Sequence, residues 1–304
     1  MIKPPRLKQN DTVGIVAPAR SITVEEVETA IAIFKEWGLQ VKQGKHLYSQ
    51  YHQFAGKDKE RAADFQEMVN NPEVRAIFCA RGGYGTIKIM EHLDLEPLRN
   101  DPKWIVGFSD ITVLHSCLNQ HYGIQTLHAP MPVNLTRDSQ KTEAIQMLNK
   151  ALFEGSIEFS WETKTSTLPP EPLRGTLTGG NLSVLYSLSG TQYDVKTHEK
   201  ILFIEDLDEY LYHIDRMLMN FKHSGKLDHI KALLVGGMTE MNDNKTPFGF
   251  TAEHIIKNIT ESYPFPVLYN LPSGHIPQNH PLFMGGEVVI ERVEDSRAQI
   301  RFIS

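Results

Sequence analysis

Three residues far apart in the chain have the types that a nucleophilic hydrolase needs. Trp104-Ile105-Val106-Gly107 reads as an apolar strand running into a helix, with Ser109 at the corner. Such a corner lifts a side chain clear of the sheet and leaves the helix's first N–H groups facing an anion. That suits a nucleophilic hydroxyl and the oxyanion its attack creates. A serine of this kind needs a base, and the base needs an acid to orient it. His275, in Leu271-Pro272-Ser273-Gly274-His275-Ile276-Pro277, and Glu205, ending the apolar run Ile201–Ile204, supply those types. The three read as a Ser109–His275–Glu205 triad. A plainer alternative is that Ser109 or Asp110 only caps the following helix. Gly107-Phe108-Ser109-Asp110-Ile111 also lacks the second glycine of Gly-x-Ser-x-Gly.

Arg81-Gly82-Gly83-Tyr84-Gly85 follows another apolar strand, and consecutive glycines there let backbone N–H groups approach a ligand. The segment lacks the Walker lysine and the Gly-x-Gly-x-x-Gly spacing. It reads either as a tight turn or as one half of an oxyanion hole, the Gly83 N–H acting with the Asp110 N–H. Glu205 has close acidic neighbours in Asp206, Asp208 and Glu209, which could equally cap the helix spanning Tyr210–Phe221. No His-Glu-x-x-His spacing occurs, and Cys79 and Cys117 sit in apolar settings as small hydrophobes. Neither a metal nor a cofactor is expected.

Strand and helix signals alternate through the first half of the chain, as in a parallel sheet covered by helices on both faces. Thr12–Ala17, Leu39–Lys42, Val74–Ala80 and Trp104–Gly107 read as its strands. Ser21 or Thr23 starts a helix that ends at Gly38, and a charged helix spans Asp58–Val69. The expected division is an N-terminal α/β domain over 1–150 carrying the nucleophile, a linker over 151–174 with the breaker Pro169-Pro170-Glu171-Pro172, and a smaller α/β domain with β-rich edges over 175–304 carrying the acid and base. In the latter, Gly175–Asn181 is glycine-rich. Ile201–Ile204, Ile230–Val235 and Val267–Leu271 are strands, and Glu287–Phe302 alternates like an antiparallel pair.

With 304 residues, 40% hydrophobic and 22% charged, the composition is that of an ordinary globular protein. A net charge of −6 without a dense Lys/Arg block argues against nucleic acid or an anionic membrane as partner. No apolar stretch reaches the ~20 residues of a membrane helix. Met1–Lys8 has no signal-type apolar core after it, so a cytoplasmic location is expected.

As an ordered set, several segments resemble the LD-carboxypeptidase family of serine peptidases, which also includes microcin-immunity hydrolases. They are Val13–Pro18, Ala80–Gly85, Val106–Thr112, Gly179-Gly180-Asn181-Leu182, Phe203-Ile204-Glu205-Asp206 and Gly274-His275. The resemblance implies two α/β domains with the active site between them, Ser109 as nucleophile, His275 as base and Glu205 as the orienting acid. It implies cleavage of the L–D bond that releases terminal D-alanine from a murein tetrapeptide, in the cytoplasm, by a homodimer. A carboxypeptidase must also bind a free carboxylate, for which Arg81 and Arg174 are candidates. Two alternatives are a self-immunity hydrolase of peptide–nucleotide antibiotics and a non-catalytic small-molecule binder. Trp161, Tyr210 and Tyr212 could stack a nucleobase for the first, although core packing is the simpler reading of all three.

Overall fold

The computed structural model describes residues 1–163 and 171–303. Its chain forms two compact units, Met1–Ile157 with His280–Gly285, and Glu158–Asn279 with Gly286–Ser304. Both are α/β. They are discontinuous in sequence, unlike the linear division expected at residues 150 and 175, because residues 280–285 return to the first unit. The segment expected as linker, 151–174, includes the end of a helix and a strand. Pro169 and Pro170 lie outside the described residues.

The first unit contains β1 (Thr12–Val16), α1 (Val24–Glu36), β2 (Gln40–Gln43), α2 (Asp58–Asn70), β3 (Val74–Cys79), α3 (Thr86–Ile89), β4 (Trp104–Gly107), α4 (Thr112–Cys117), β5 (Thr126–His128) and α5 (Glu143–Phe153). Its sheet has the order β11-β5-β4-β3-β1-β2, where β11 is the late strand Leu282–Met284. Strands β1 to β5 pair in parallel, and β11 adds antiparallel to β5. Every residue of β4 is buried, as expected of an apolar strand covered on both faces. Of the two candidate caps for α1, Thr23 is the one used. Its hydroxyl accepts from Glu26 N–H while the Glu26 carboxylate accepts from Thr23 N–H at 2.9 Å, a capping box. Val27, Ala30, Ile33 and Phe34 form the buried face of α1.

The second unit contains β6 (Glu158–Glu162), β7 (Leu173–Asn181), α6 (Leu182–Ser187), β8 (Ile201–Leu207), α7 (Leu211–His223), β9 (Ala232–Thr239), α8 (Ala252–Thr260), β10 (Val267–Leu268), β12 (Glu287–Glu294) and β13 (Arg297–Ile303). The order is β10-β9-β8-β7-β12-β13-β6, parallel from β10 to β7 and antiparallel from β7 to β6. The glycine-rich segment is thus strand, and one glycine shows why. A Cβ at Gly179 would sit 2.9 Å from Phe203 N, so the residue type lets β7 and β8 close up. Leu185, Leu218, Phe221 and Ile256 pack with Leu202, Ile204 and Leu233 in one core. Each such side chain contributes ~1.5–3 kcal/mol of burial. No helix among the described residues is long and apolar enough to cross a membrane.

Candidate active site

Ser109 follows the buried strand β4 at the carboxyl edge of the first sheet and opens a short 3-10 turn, Ser109–Ile111, that runs into α4. Its φ is +63°, a left-handed conformation that costs a non-glycine residue ~1–2 kcal/mol. The strand enters the turn at this angle with the serine half-buried, which is the geometry of a strained nucleophile elbow even without the second glycine. Gly82 presses against it: a Cβ at 82 would lie 3.0 Å from Ser109 Cβ and 3.2 Å from Ser109 Oγ. Gly83, at φ +101°, is exposed beside it. The Asp110 side chain is buried and caps a neighbouring helix, accepting from Thr86 N–H at 2.7 Å. Burial pushes its pKa up against those hydrogen bonds.

Two buried residues that the sequence reading passed over hold this edge. Arg61 of α2 donates to Pro18 O, to Gly85 O at 3.0 Å and to Asp58, and stacks 5.0 Å over Phe54. It pins the loops after β1 and β3 together. His115 of α4 bridges the Gly107 carbonyl (2.9 Å) and Thr126 Oγ1 (2.8 Å). A carbonyl only accepts, so Nε2 carries the proton and Nδ1 accepts from the hydroxyl. Burial lowers its pKa to about 4, so the ring stays neutral and braces the strand end before Ser109. The one sequence signal was a histidine inside the apolar helix Val113–Leu118, since buried polar groups have partners.

In the second unit Glu205, wholly buried on β8, meets His275. Oε2 accepts from His275 Nδ1 at 2.6 Å and from His275 N–H at 3.0 Å. The carboxylate therefore fixes both the imidazole's tautomer and the loop that carries it. Nδ1–H faces Glu205, and Nε2 holds the basic lone pair. Burial lowers the His275 pKa, but the Glu205 hydrogen bond and charge outweigh it, and the net shift is upward. Gly274, at φ +103°, is required here, because a Cβ would stand 2.7 Å from Glu205 Cβ. Gly237 N–H donates to Ser273 O and Thr239 Oγ1 to His275 O, which lays the loop along β9.

The neighbouring acids have other partners. Asp206 accepts from Asn181 Nδ2 (2.9 Å), Ser183 N–H (2.8 Å) and Leu207 N–H (2.9 Å), anchoring the start of α6; burial and then Glu205 push its pKa up to about 7. Asp208 accepts from Asn242 Nδ2 at 2.7 Å, and Glu209 pairs with His213 Nδ1 at 2.5 Å. Of the candidate carboxylate clamps, Arg81 is paired with Glu26 at 3.1 Å. Arg174 lies near the start of β7, ~20 Å along the strand from Asn181, which registers with Glu205. Trp161 is core, its indole N–H donating to Tyr269 O, but Tyr210 and Tyr212 are 44% and 38% exposed. Their rings lie 5.5 Å apart with Arg216 over Tyr212, so the expectation of core packing fails for both tyrosines.

Ser109, Gly83 and Asp110 thus group at one sheet edge, and Glu205 and His275 form a hydrogen-bonded pair on the other unit. Family models of the LD-carboxypeptidase N-terminal and C-terminal domains match residues 13–129 and 174–290. The chain is 37% identical over 298 residues to a probable murein peptide carboxypeptidase of Bacillus subtilis, covering 96% of this chain and 92% of that one. A crystal structure of muramoyltetrapeptide carboxypeptidase from Oxalobacter formigenes superposes with a TM-score of 0.87 at 27% identity, covering 96% and 99% of the two chains. The microcin C7 self immunity protein MccF, in complex with aspartyl sulfamoyl adenosine, shares the fold at TM-score 0.85 and 20% identity, covering 99% and 98%. An elbow serine, a histidine held by a buried glutamate and two matched domains in the right order have one common explanation: the chain belongs to the LD-carboxypeptidase family.

Proposed function

We propose that this chain is a serine carboxypeptidase that removes terminal D-alanine from murein tetrapeptides by cutting the L–D bond, with Ser109 as nucleophile, His275 as general base and Glu205 as the acid orienting it. The observation carrying the reading is the 2.6 Å contact between wholly buried Glu205 and His275 Nδ1, an arrangement with a clear use in catalysis and little in ligand binding. His275 Nε2 takes the Ser109 proton as the alkoxide attacks the scissile carbonyl. The N–H groups of Gly83 and Asp110 hold the oxyanion. His275 then protonates the departing D-alanine amine, and water resolves the acyl-enzyme. On family grounds the enzyme acts in the cytoplasm on recycled wall fragments as a homodimer; a monomer mass by light scattering would remove the dimer.

Incubation with murein tri-, tetra- and pentapeptides, followed by mass spectrometry, tests the activity. Loss of one alanine from the tetrapeptide alone is expected; an intact tetrapeptide overturns the reading. A second reading, hydrolysis of peptide–nucleotide conjugates, draws on the exposed tilted pair Tyr210 and Tyr212, which could stack a base. It predicts faster turnover of an aminoacyl sulfamoyl adenosine than of tetrapeptide, and slower turnover in Tyr212→Ala.

A further inference from the structure

A carboxypeptidase differs from other serine peptidases in reading a free carboxylate close to the scissile bond. In the proposed substrate only the amide nitrogen and one α-carbon separate the scissile carbonyl from that carboxylate. Its binding group therefore belongs beside the nucleophile, and both arginines named from the sequence are otherwise placed: Arg81 is paired with Glu26 and Arg174 lies near the start of β7. Arg61 is near the edge but is buried beneath it, with both terminal nitrogens held by Pro18 O, Gly85 O and Asp58.

Arg20 has the right location. Strand order β2-β1-β3-β4-β5 reverses direction between β1 and β3, and open parallel sheets bind ligands outside the carboxyl ends at such a reversal. Arg20 sits on the loop after β1. Its N–H donates to Gly82 O at 3.4 Å, tying that loop to the one after β3. Its side chain crosses directly over Gly83, so that a Cβ at 83 would stand 2.6 Å from Arg20 Cγ. Gly82, the next residue back, abuts Ser109 Oγ. One step of main chain, ~3.8 Å between α-carbons, thus separates the glycine under Arg20 from the glycine against the hydroxyl. The residue is exposed, and among the described residues its guanidinium has neither an ion pair nor a hydrogen bond. A planar fork with a permanent charge suits a carboxylate, which it can take with two parallel hydrogen bonds.

We infer that Arg20 binds the terminal carboxylate of the peptide substrate and so makes this enzyme a carboxypeptidase rather than an endopeptidase. The inference rests on the proposed activity, and the two can fail separately. The absence of a side chain at Gly83 then has a second use: it admits the Arg20 stem across the oxyanion loop.

The test compares murein tetrapeptide with the same peptide ending in D-alaninamide, in wild type, Arg20→Met and Arg20→Lys. Arg20→Met keeps an aliphatic stem over Gly83 and removes only the charge and the fork. Wild type should prefer the acid by roughly 10- to 100-fold in kcat/KM, the worth of hydrogen bonds to a charged group. In Arg20→Met that preference should collapse towards one, and Arg20→Lys should fall between. Equal loss on acid and amide in Arg20→Met, or a retained acid preference, overturns the assignment while leaving the proposed activity intact. If wild type leaves the tetrapeptide uncut, the activity fails instead, and calorimetric binding of acid and amide to Ser109→Ala protein, with and without Arg20→Met, still decides the clamp. An acid preference abolished by Arg20→Met supports it; no acid preference, or one that survives, overturns it.

Discussion

Ser109 occupies a backbone conformation that glycine adopts at no cost and serine does not, so the hydroxyl is held there against local stability. Ser109→Gly should raise the melting temperature by ~1–3 °C in calorimetry while abolishing D-alanine release. An unchanged turnover would remove Ser109 from the chemistry. The acids divide just as sharply. Glu205→Gln should lower kcat by about 10³–10⁴, whereas Glu209→Gln, which disturbs only the His213 pair, should stay near wild type. The two variants also separate in pH dependence. A base must be neutral to act, and the His275 pKa is raised above its ordinary 6.5, so the acid limb of kcat/KM should have its midpoint above that value. Loss of the Glu205 charge in Glu205→Gln should move the limb to lower pH. The same shift gives the sign for stability. The charged pair stabilises fully below the unfolded value and loses that contribution as pH rises through the folded one, so the gap in melting temperature between wild type and Glu205→Gln should narrow with rising pH.

At the scale of elements, hydrogen bonds between neighbours in sequence were readable and those between distant segments were not. Ser21 and Thr23 both marked the start of α1 from residue type and position, and the structure uses Thr23, three residues before its capping-box partner Glu26. β4 was legible for a similar reason, since a run of apolar residues ending in glycine has few other uses. By contrast β7 was read as a glycine-rich stretch, because the need for Gly179 lies in the backbone of Phe203 on the adjacent strand. The expected strand Val267–Leu271 shortens to Val267–Leu268, after which Asn270 turns to φ +61° and Leu271 N–H returns to Val235 O. The start of α6 also depends on a distant residue. Asp206→Ala would strip partners from Ser183, Asn181 and Leu207 at once and should cost ~2–3 kcal/mol in denaturant titrations.

For the molecule as a whole, the notable fact is that a strand near the carboxyl terminus completes the amino-terminal sheet. Phe283 of β11 is 1% exposed, stacks at 5.1 Å on Trp104 of β4 and lies under the Lys3 ammonium at 4.8 Å. Phe283→Ala should therefore destabilise the first unit by ~3–5 kcal/mol, read as faster amide exchange in β4 and β5 with the second unit's β8 and β9 little affected. Uniform exchange across both would contradict this. The alternation of apolar runs with helical periods determined two α/β sheets, and the residue types at Ser109, Glu205 and His275 determined which chemistry to look for, because both are properties of composition and local spacing. Only the folded chain decided that Glu205 rather than Asp206, Asp208 or Glu209 faces His275, that Arg81 is paired with Glu26 while Arg20 stands open, and that residues 280–285 belong with the first unit. Those outcomes turn on which distant groups a folded backbone brings within ~3 Å, a distance that no local pattern of residues encodes.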